Sequence, residues 1–256
     1  MKKSRFLWLI ALVIGLPIIA LATPSSEFWT VGTTDIQAYG IGHLGIDNYF
    51  HFQKHTNEDA FAVFPTDIGY TVGILPFSKV QMEIGVDLMG AQNFPVMFNA
   101  KAGIPEDGFF KGQPGIAVGI FNIGTRKDVT DLDITYAVIG KTLPLIGRVF
   151  VGGYVENNKT LNDLDPANGA FNRGLTFAWD RAFLPTKSAS GAAYNRLLLC
   201  ADWATGKNSY GGGGPGVAYS FTENISILTG PVFFLDQTIN GKWKWSTQLD
   251  VNFKTW

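Results

Sequence analysis

With a formal net charge of −1 over 256 residues and charged residues at only 16%, the chain has no basic run of the kind that nucleic-acid binding needs. Average proteins carry about 25% charged residues and about 7% glycine. Here 30 glycines and 14% aromatics make a composition unusual for a water-soluble enzyme, and the single cysteine, Cys200, excludes an intramolecular disulfide.

The chain opens on Lys2, Lys3 and Arg5, followed by an almost wholly apolar run from Phe6 to Leu21. Ala20-Leu21-Ala22 places small residues at the two positions a signal peptidase reads, so 1–22 is expected to be a cleaved export signal and Thr23 the mature start. The alternative is a retained anchor, since the run approaches the length of a short membrane span. Pro17 and the A-x-A ending favour cleavage. Residues 23–34 are then expected to form a short periplasmic segment ahead of a single barrel domain, 35–256.

Strand signals fill the rest. They are expected near 35–48, 60–74, 79–90, 95–104, 115–124, 131–141, 147–157, 174–182, 194–204, 215–222, 225–236 and 242–254. The clearest is Lys79 to Leu88, where Val80, Met82, Ile84, Val86 and Leu88 share one face and Lys79, Gln81, Glu83, Gly85 and Asp87 the other. The last strand does the same, with Trp243, Trp245, Thr247, Leu249, Val251 and Phe253 opposing Lys244, Ser246, Gln248, Asp250, Asn252 and Lys254. A helix would scatter both sets around its circumference. About twelve strands, an even number, suit an all-β, single antiparallel up-and-down transmembrane β-barrel.

The connections support this. Leu75–Ser78, Leu143–Ile146 and Thr222–Asn224 read as short turns, whereas 51–59, 158–173 and 206–215 are longer and more polar, the asymmetry expected between periplasmic turns and outer loops. Three stretches break the pattern: 105–114 and 183–193 are long where turns should be short, and Gln92–Phe94 is short where a loop should be long. A soluble β-sandwich also alternates, with its apolar face as core. The export signal, the low charge and Trp179, Trp203, Trp243 and Trp245 near strand ends favour the barrel and its interfacial girdles.

Two segments carry a resemblance. Leu75-Pro76-Phe77-Ser78-Lys79-Val80-Gln81-Met82-Glu83-Ile84-Gly85-Val86 and the strand–turn–strand Ala218 to Ile227 look like the hairpins of bacterial outer-membrane β-barrels of the transporter or porin-like type. The terminal strand is similar to their assembly signal but departs from it, because the alternating set ends on Phe253 and Trp256 is out of phase. The resemblance implies an outer-membrane location, lipid and the barrel assembly machinery as partners, and no cofactor. It leaves the oligomeric state open.

The ionic faces are the natural place for function. They point to Lys79, Gln81, Glu83, Asp87, Lys101, Lys141, Arg148, Glu156, Arg196, Asp202, Lys244 and Asp250 as pore-lining, with both signs in similar numbers. The reading is a narrow, weakly selective pore for small solutes or ions. The alternatives are a plugged structural or adhesion barrel filled by paired charges, and a barrel-embedded hydrolase. No enzyme is expected: His43, His51 and His55 are the only histidines, and no G-x-S-x-G, H-E-x-x-H or C-x-x-C occurs. His43 shares a face with Asp35, Gln37 and Asp47. His51, His55, Glu58 and Asp59 could meet at a metal but read as a solvated loop, so no metal site is expected. Gly211–Gly216 lacks the Lys-Ser/Thr pair of a phosphate cradle and reads as a loop or strand entry. Cys200, among leucines, reads as a packed side chain.

Overall fold

The computed structural model describes residues 27–51, 66–89, 96–126, 131–156 and 172–256, and the expected export signal at 1–22 lies outside them. Alternation translates into twelve strands: β1 (Ile41–Phe50), β2 (Thr66–Gly73), β3 (Gln81–Met89), β4 (Val96–Ile104), β5 (Gly115–Gly124), β6 (Ile134–Leu143), β7 (Gly147–Glu156), β8 (Arg173–Lys187), β9 (Ala193–Ala204), β10 (Gly212–Ser220), β11 (Ile225–Phe234) and β12 (Trp243–Lys254). Each pairs antiparallel with its chain neighbour. β1 closes on β12 from Ile41↔Lys254 to Phe50↔Trp245, so the sheet is an all-β closed barrel without free edges. One helical turn, Gln237–Asn240, sits between β11 and β12. No helix among the described residues is long and apolar enough to cross a membrane.

The alternation places apolar side chains outside. Ile84, Val118, Ile139, Val151, Leu175, Phe177 and Val217 are exposed around the wall, while their chain neighbours Glu83, Ala117, Val138, Phe150, Thr176 and Ala178 are buried within. A water-soluble protein rarely exposes so continuous an apolar surface. Aromatics cluster near both ends of the wall. Trp203, Trp243 and Trp245 lie toward one end, and Trp179, whose Nε1 donates to the Ile146 carbonyl at 2.9 Å, toward the other.

The two ends differ. At the turn end, strands are joined by 74–80, 105–114, 144–146, 188–192 and 221–224; at the loop end by 51–65, 90–95, 125–133, 157–172, 205–211 and 235–242. The expected break in this pattern at 183–193 is largely strand, because β8 runs on to Lys187. The long connection 105–114 is a compact turn, held by Gln113 accepting from Asp107 N at 3.1 Å through its carbonyl and from Phe109 N at 3.0 Å through Oε1. The short link Gln92–Phe94 lies outside the described residues. Gly211–Gly216 is mostly strand: a Cβ on Gly214 would meet the Pro231 carbonyl at 1.9 Å, so glycine lets neighbouring backbones approach.

The expectation of a separate periplasmic segment at 23–34 needs correction for its described part. Residues 27–37 lie within the barrel, and Ala38 and Tyr39 emerge at its turn-end rim. Phe28, Thr30, Val31, Thr33, Ile36 and Gln37 are buried, and β1 begins only at Ile41. Val31 and Ile36 join Ile134, Tyr136, Val138, Phe150, Tyr154 and Tyr210 in one apolar cluster. Phe28 joins Leu198, Cys200, Ala218, Leu228, Val232 and Phe234 in another. Burying each such side chain contributes about 1.5–3 kcal/mol, so the segment supplies a core that a hydrogen-bonded wall lacks.

Candidate functional site in the barrel interior

The segment is seated by glycines and one carboxylate. Gly216 on β10 and Gly230 on β11 leave a socket for the Phe28 ring: added Cβ atoms would meet it at 3.0 and 3.2 Å. Gly115 and Gly140 make room for Thr34 in the same way, at 2.7 and 3.2 Å. Asp202 Oδ2 on β9 accepts the backbone N–H groups of Phe28, Trp29 and Thr30 at 2.9, 2.8 and 2.7 Å. Tyr210 adds two bonds, its hydroxyl accepting from Val31 N at 2.8 Å and its carbonyl from Trp29 Nε1 at 2.8 Å. Gln248 Nε2 donates to the Phe28 carbonyl at 2.8 Å. A buried backbone away from water needs such partners.

Further toward the turn end, Gln37 N donates to Glu83 Oε2 at 2.7 Å, and Arg148 forms a double fork. Its Nε reaches both Asp180 oxygens at 2.9 Å, and its Nη1 reaches both Asp35 oxygens at 2.7 and 2.8 Å. Asp35 is on the segment, Arg148 on β7 and Asp180 on β8, so one guanidinium ties plug to wall. Planar two-pronged pairing is what arginine offers and lysine does not. The Arg148 guanidinium also lies 5.2 Å from the Phe150 ring centroid.

The segment divides the lumen. Residues 27–31 border a loop-end chamber of about 160 Å³, and residues 34–38 border a turn-end vestibule of about 510 Å³. The chamber wall on β12, β1, β2 and β3 carries Asp250, His43, Asp47, Asp67 and Asp87. His43 Nδ1 lies 3.0 Å from Asn252 Oδ1 and its Nε2 3.4 Å from Asp250 Oδ1. Ser226 Oγ bonds the Asp250 carboxylate at 3.4 Å, not the imidazole, so these three side chains lack the nucleophile–base bond of a hydrolase.

Of the side chains expected to line the interior, Gln81, Glu83, Asp87, Lys101, Arg148, Glu156, Asp202, Lys244 and Asp250 face inward. Glu83 and Lys101 sit directly opposite in the β3–β4 register. Lys79 and Arg196 do not face inward, and Lys141 reaches the interior only over the rim. Lys79 precedes β3, where alternation does not yet apply; it is exposed, with its ammonium 5.6 Å from the Phe109 ring centroid. Lys141 follows inward Gly140 and so takes outer parity, yet its ammonium reaches over the rim to Glu106 Oε1 at 2.7 Å and borders the turn-end vestibule. Arg196 is exposed at the turn end of β9 beside Tyr194 and Tyr219. It lies opposite Leu184, whose φ of 55° interrupts the pleat.

The near balance of sign expected from the sequence is therefore lost inside. Among the described residues, Glu27, Asp35, Asp47, Asp67, Glu83, Asp87, Glu106, Glu156, Asp180, Asp202 and Asp250 outnumber the interior bases Lys101, Lys141, Arg148 and Lys244. Glu27 is buried near the Asp180 carboxylate, and burial first, then that charge, pushes its carboxyl well above the usual range. Asp180, Asp47 and Asp67 were not singled out as pore-lining. Their parity with inward Ala178, Gly45 and Gly69 was the available signal. Of the suspected metal loop, His55, Glu58 and Asp59 lie outside the described residues. Cys200 is buried and unpaired.

No protein family matches the sequence, and no curated protein does. Similar solved structures exist. The KdgM porin superposes with a TM-score of 0.53 at 8% identity, over 83% of this chain and 99% of that one. A mutant of the Rh. blastica porin gives 0.40 at 12% identity, over 90% of this chain and 66% of that one, and a Rhodopseudomonas blastica porin triple mutant gives 0.40 at 11% with the same coverage. The first of these likenesses is one of fold: this chain is a closed, porin-like antiparallel barrel.

Proposed function

We propose that the chain is an outer-membrane channel for small solutes, narrowed by its own N-terminal segment. The observation that carries this is the inversion of the barrel wall, apolar outside and polar inside, around a lumen with a chamber at one end and a vestibule at the other. A hydrocarbon surround accommodates such a wall because every strand's backbone is paired within the closed sheet. The export signal expected at 1–22 and the aromatics near both ends fit an outer-membrane site.

The interior excess of carboxylates favours cations, in place of the weak selectivity anticipated from a near balance of sign. Fixed charge at a constriction sets the local counter-ion concentration. Planar-bilayer recording of the purified protein tests the reading, and discrete conductance steps with a cation-positive reversal potential are the expected result. Reversing charge at the chamber wall, with Asp87→Lys or Asp250→Lys, should move the reversal potential toward the anion limit. Unaltered selectivity in folded variants would mean that these side chains do not border the path. The second reading, a filled structural barrel, is favoured by the buried plug itself. It predicts silence in the same recordings.

A further inference from the structure

The loop-end chamber has the chemistry of a receptor for an organic cation. One wall is acidic: in the sheet register Asp47 faces Asp67, while Asp87 faces Gly69 and Asp250 faces Gly45. Gly45 and Gly69 are themselves cross-strand partners, so the centre of this wall is bare backbone with carboxylates around it. Crowded carboxylates repel one another, and a cation relieves the repulsion.

Aromatic rings from the segment, β1, β5 and the loop before β10 complete the lining. Trp29 and Tyr49 meet edge to face at 5.4 Å, and Phe121 and Tyr210 lie 5.3 Å apart, all four bordering the chamber. Ammonium groups are drawn to aromatic faces as well as to carboxylates. Two further polar atoms are buried there without a hydrogen-bond partner: Asn122 Oδ1 and Ser209 Oγ, on residues 4% and 1% exposed. An amide oxygen can only accept, so it lacks a donor. Orphaned buried groups of this kind are rare and point to a missing partner.

Size and charge narrow the class. About 160 Å³ is close to the cavity that holds one benzene molecule. Among the described residues, no lysine or arginine borders the chamber, and His43, held by Asn252 and Asp250, is the one basic side chain on it. Among the described residues no group of three or more His, Cys, Asp or Glu is arranged to hold a metal ion, which disfavours an inorganic divalent ion. We infer that this chamber binds a small primary ammonium compound with a compact apolar or aromatic body, its ammonium toward Asp47 and Asp67 and its body against Trp29, Tyr49 and Phe121. If the channel reading holds, this is the class of solute the channel takes up at its loop end.

Calorimetric titration of the full-length protein in detergent tests this without reference to transport. Phenethylammonium should bind saturably with one site per chain. Its neutral isostere 2-phenylethanol should bind about tenfold more weakly or worse, because it forfeits the charge-assisted bonds. The double variant Asp47→Asn, Asp67→Asn should lose a similar factor, while Lys187→Gln at the turn end should not. The wild-type comparison of amine with alcohol stands even if the double variant fails to fold. Equal affinity for the two compounds, no saturable binding, or displacement of the amine by calcium at equal or lower concentration would overturn the assignment. Silent bilayers together with intact amine binding would reject the channel and leave the receptor chamber standing; conductance without amine binding would do the reverse.

Discussion

Replacing Arg148 with methionine is expected to destabilise the folded barrel by about 3–5 kcal/mol, the range for removing one partner of a buried ion pair. The guanidinium is 14% exposed and serves two carboxylates at once, of which Asp180 is 4% exposed. Methionine keeps much of the volume over Phe150 but leaves Asp35 and Asp180 facing each other without a cation. Arg148→Lys should recover only part of the loss, since one ammonium cannot reproduce the paired bonds to both acids. Urea unfolding in detergent, followed by the change in gel mobility between folded and unfolded barrel, reads the effect. A methionine variant as stable as wild type would show that the triad does not hold plug to wall.

The second large effect is expected on the outer face. Val151 on β7 is exposed and lies opposite Ile139 of β6, midway along both strands. Arginine there should cost about 2–4 kcal/mol if the face meets hydrocarbon at mid-depth, and about 0–1 kcal/mol near an interface. Ile84→Arg should behave like Val151→Arg, whereas arginine at Ile146, in the exposed β6–β7 turn, should be nearly neutral. A water-facing wall would tolerate all three equally. Unfolding from lipid vesicles separates the two outcomes. Gln248 faces inward yet makes a poor neutral control, because its side-chain amide holds the Phe28 carbonyl and arginine would disturb the plug.

The strand order was legible because a two-residue period is hard to mistake for anything else. All twelve strands appear near their expected places, and β5 keeps its expected limits of 115 and 124, but β1 begins at Ile41 rather than 35 and β8 runs past 182 to Lys187. Inward or outward parity was legible only within a paired ladder. It failed at Lys79, which precedes the first paired residue of its strand, at Lys141, where the expected parity was wrong by one, and at Arg196, opposite a strained residue. The plug was not legible because residues 27–37 form no strand, with 27–30 folded into a bend, and no alternation marks a segment buried inside a barrel. Its content was the missed clue. Phe28, Trp29, Val31 and Ile36 are too apolar for a segment left in water, and the glycines of β10 and β11 were the sockets waiting for it. The interior charge sign was hidden for a related reason: bases such as Lys187 and Arg196 go to the rim, where alternation alone cannot place them.

If the lumen conducts and residues 27–37 narrow it, Asp202 offers the most direct handle on the constriction. Its carboxylate accepts three backbone N–H groups of the segment, each such bond contributing about 1.5–3 kcal/mol. Losing even one bond's worth raises the released population about tenfold. Single-channel recording of wild type and Asp202→Ala, with folding of both verified by gel mobility, should show small wild-type steps and larger or more frequent openings in the variant. Identical unitary conductance and open probability in the two proteins, or silence in both, would contradict the account.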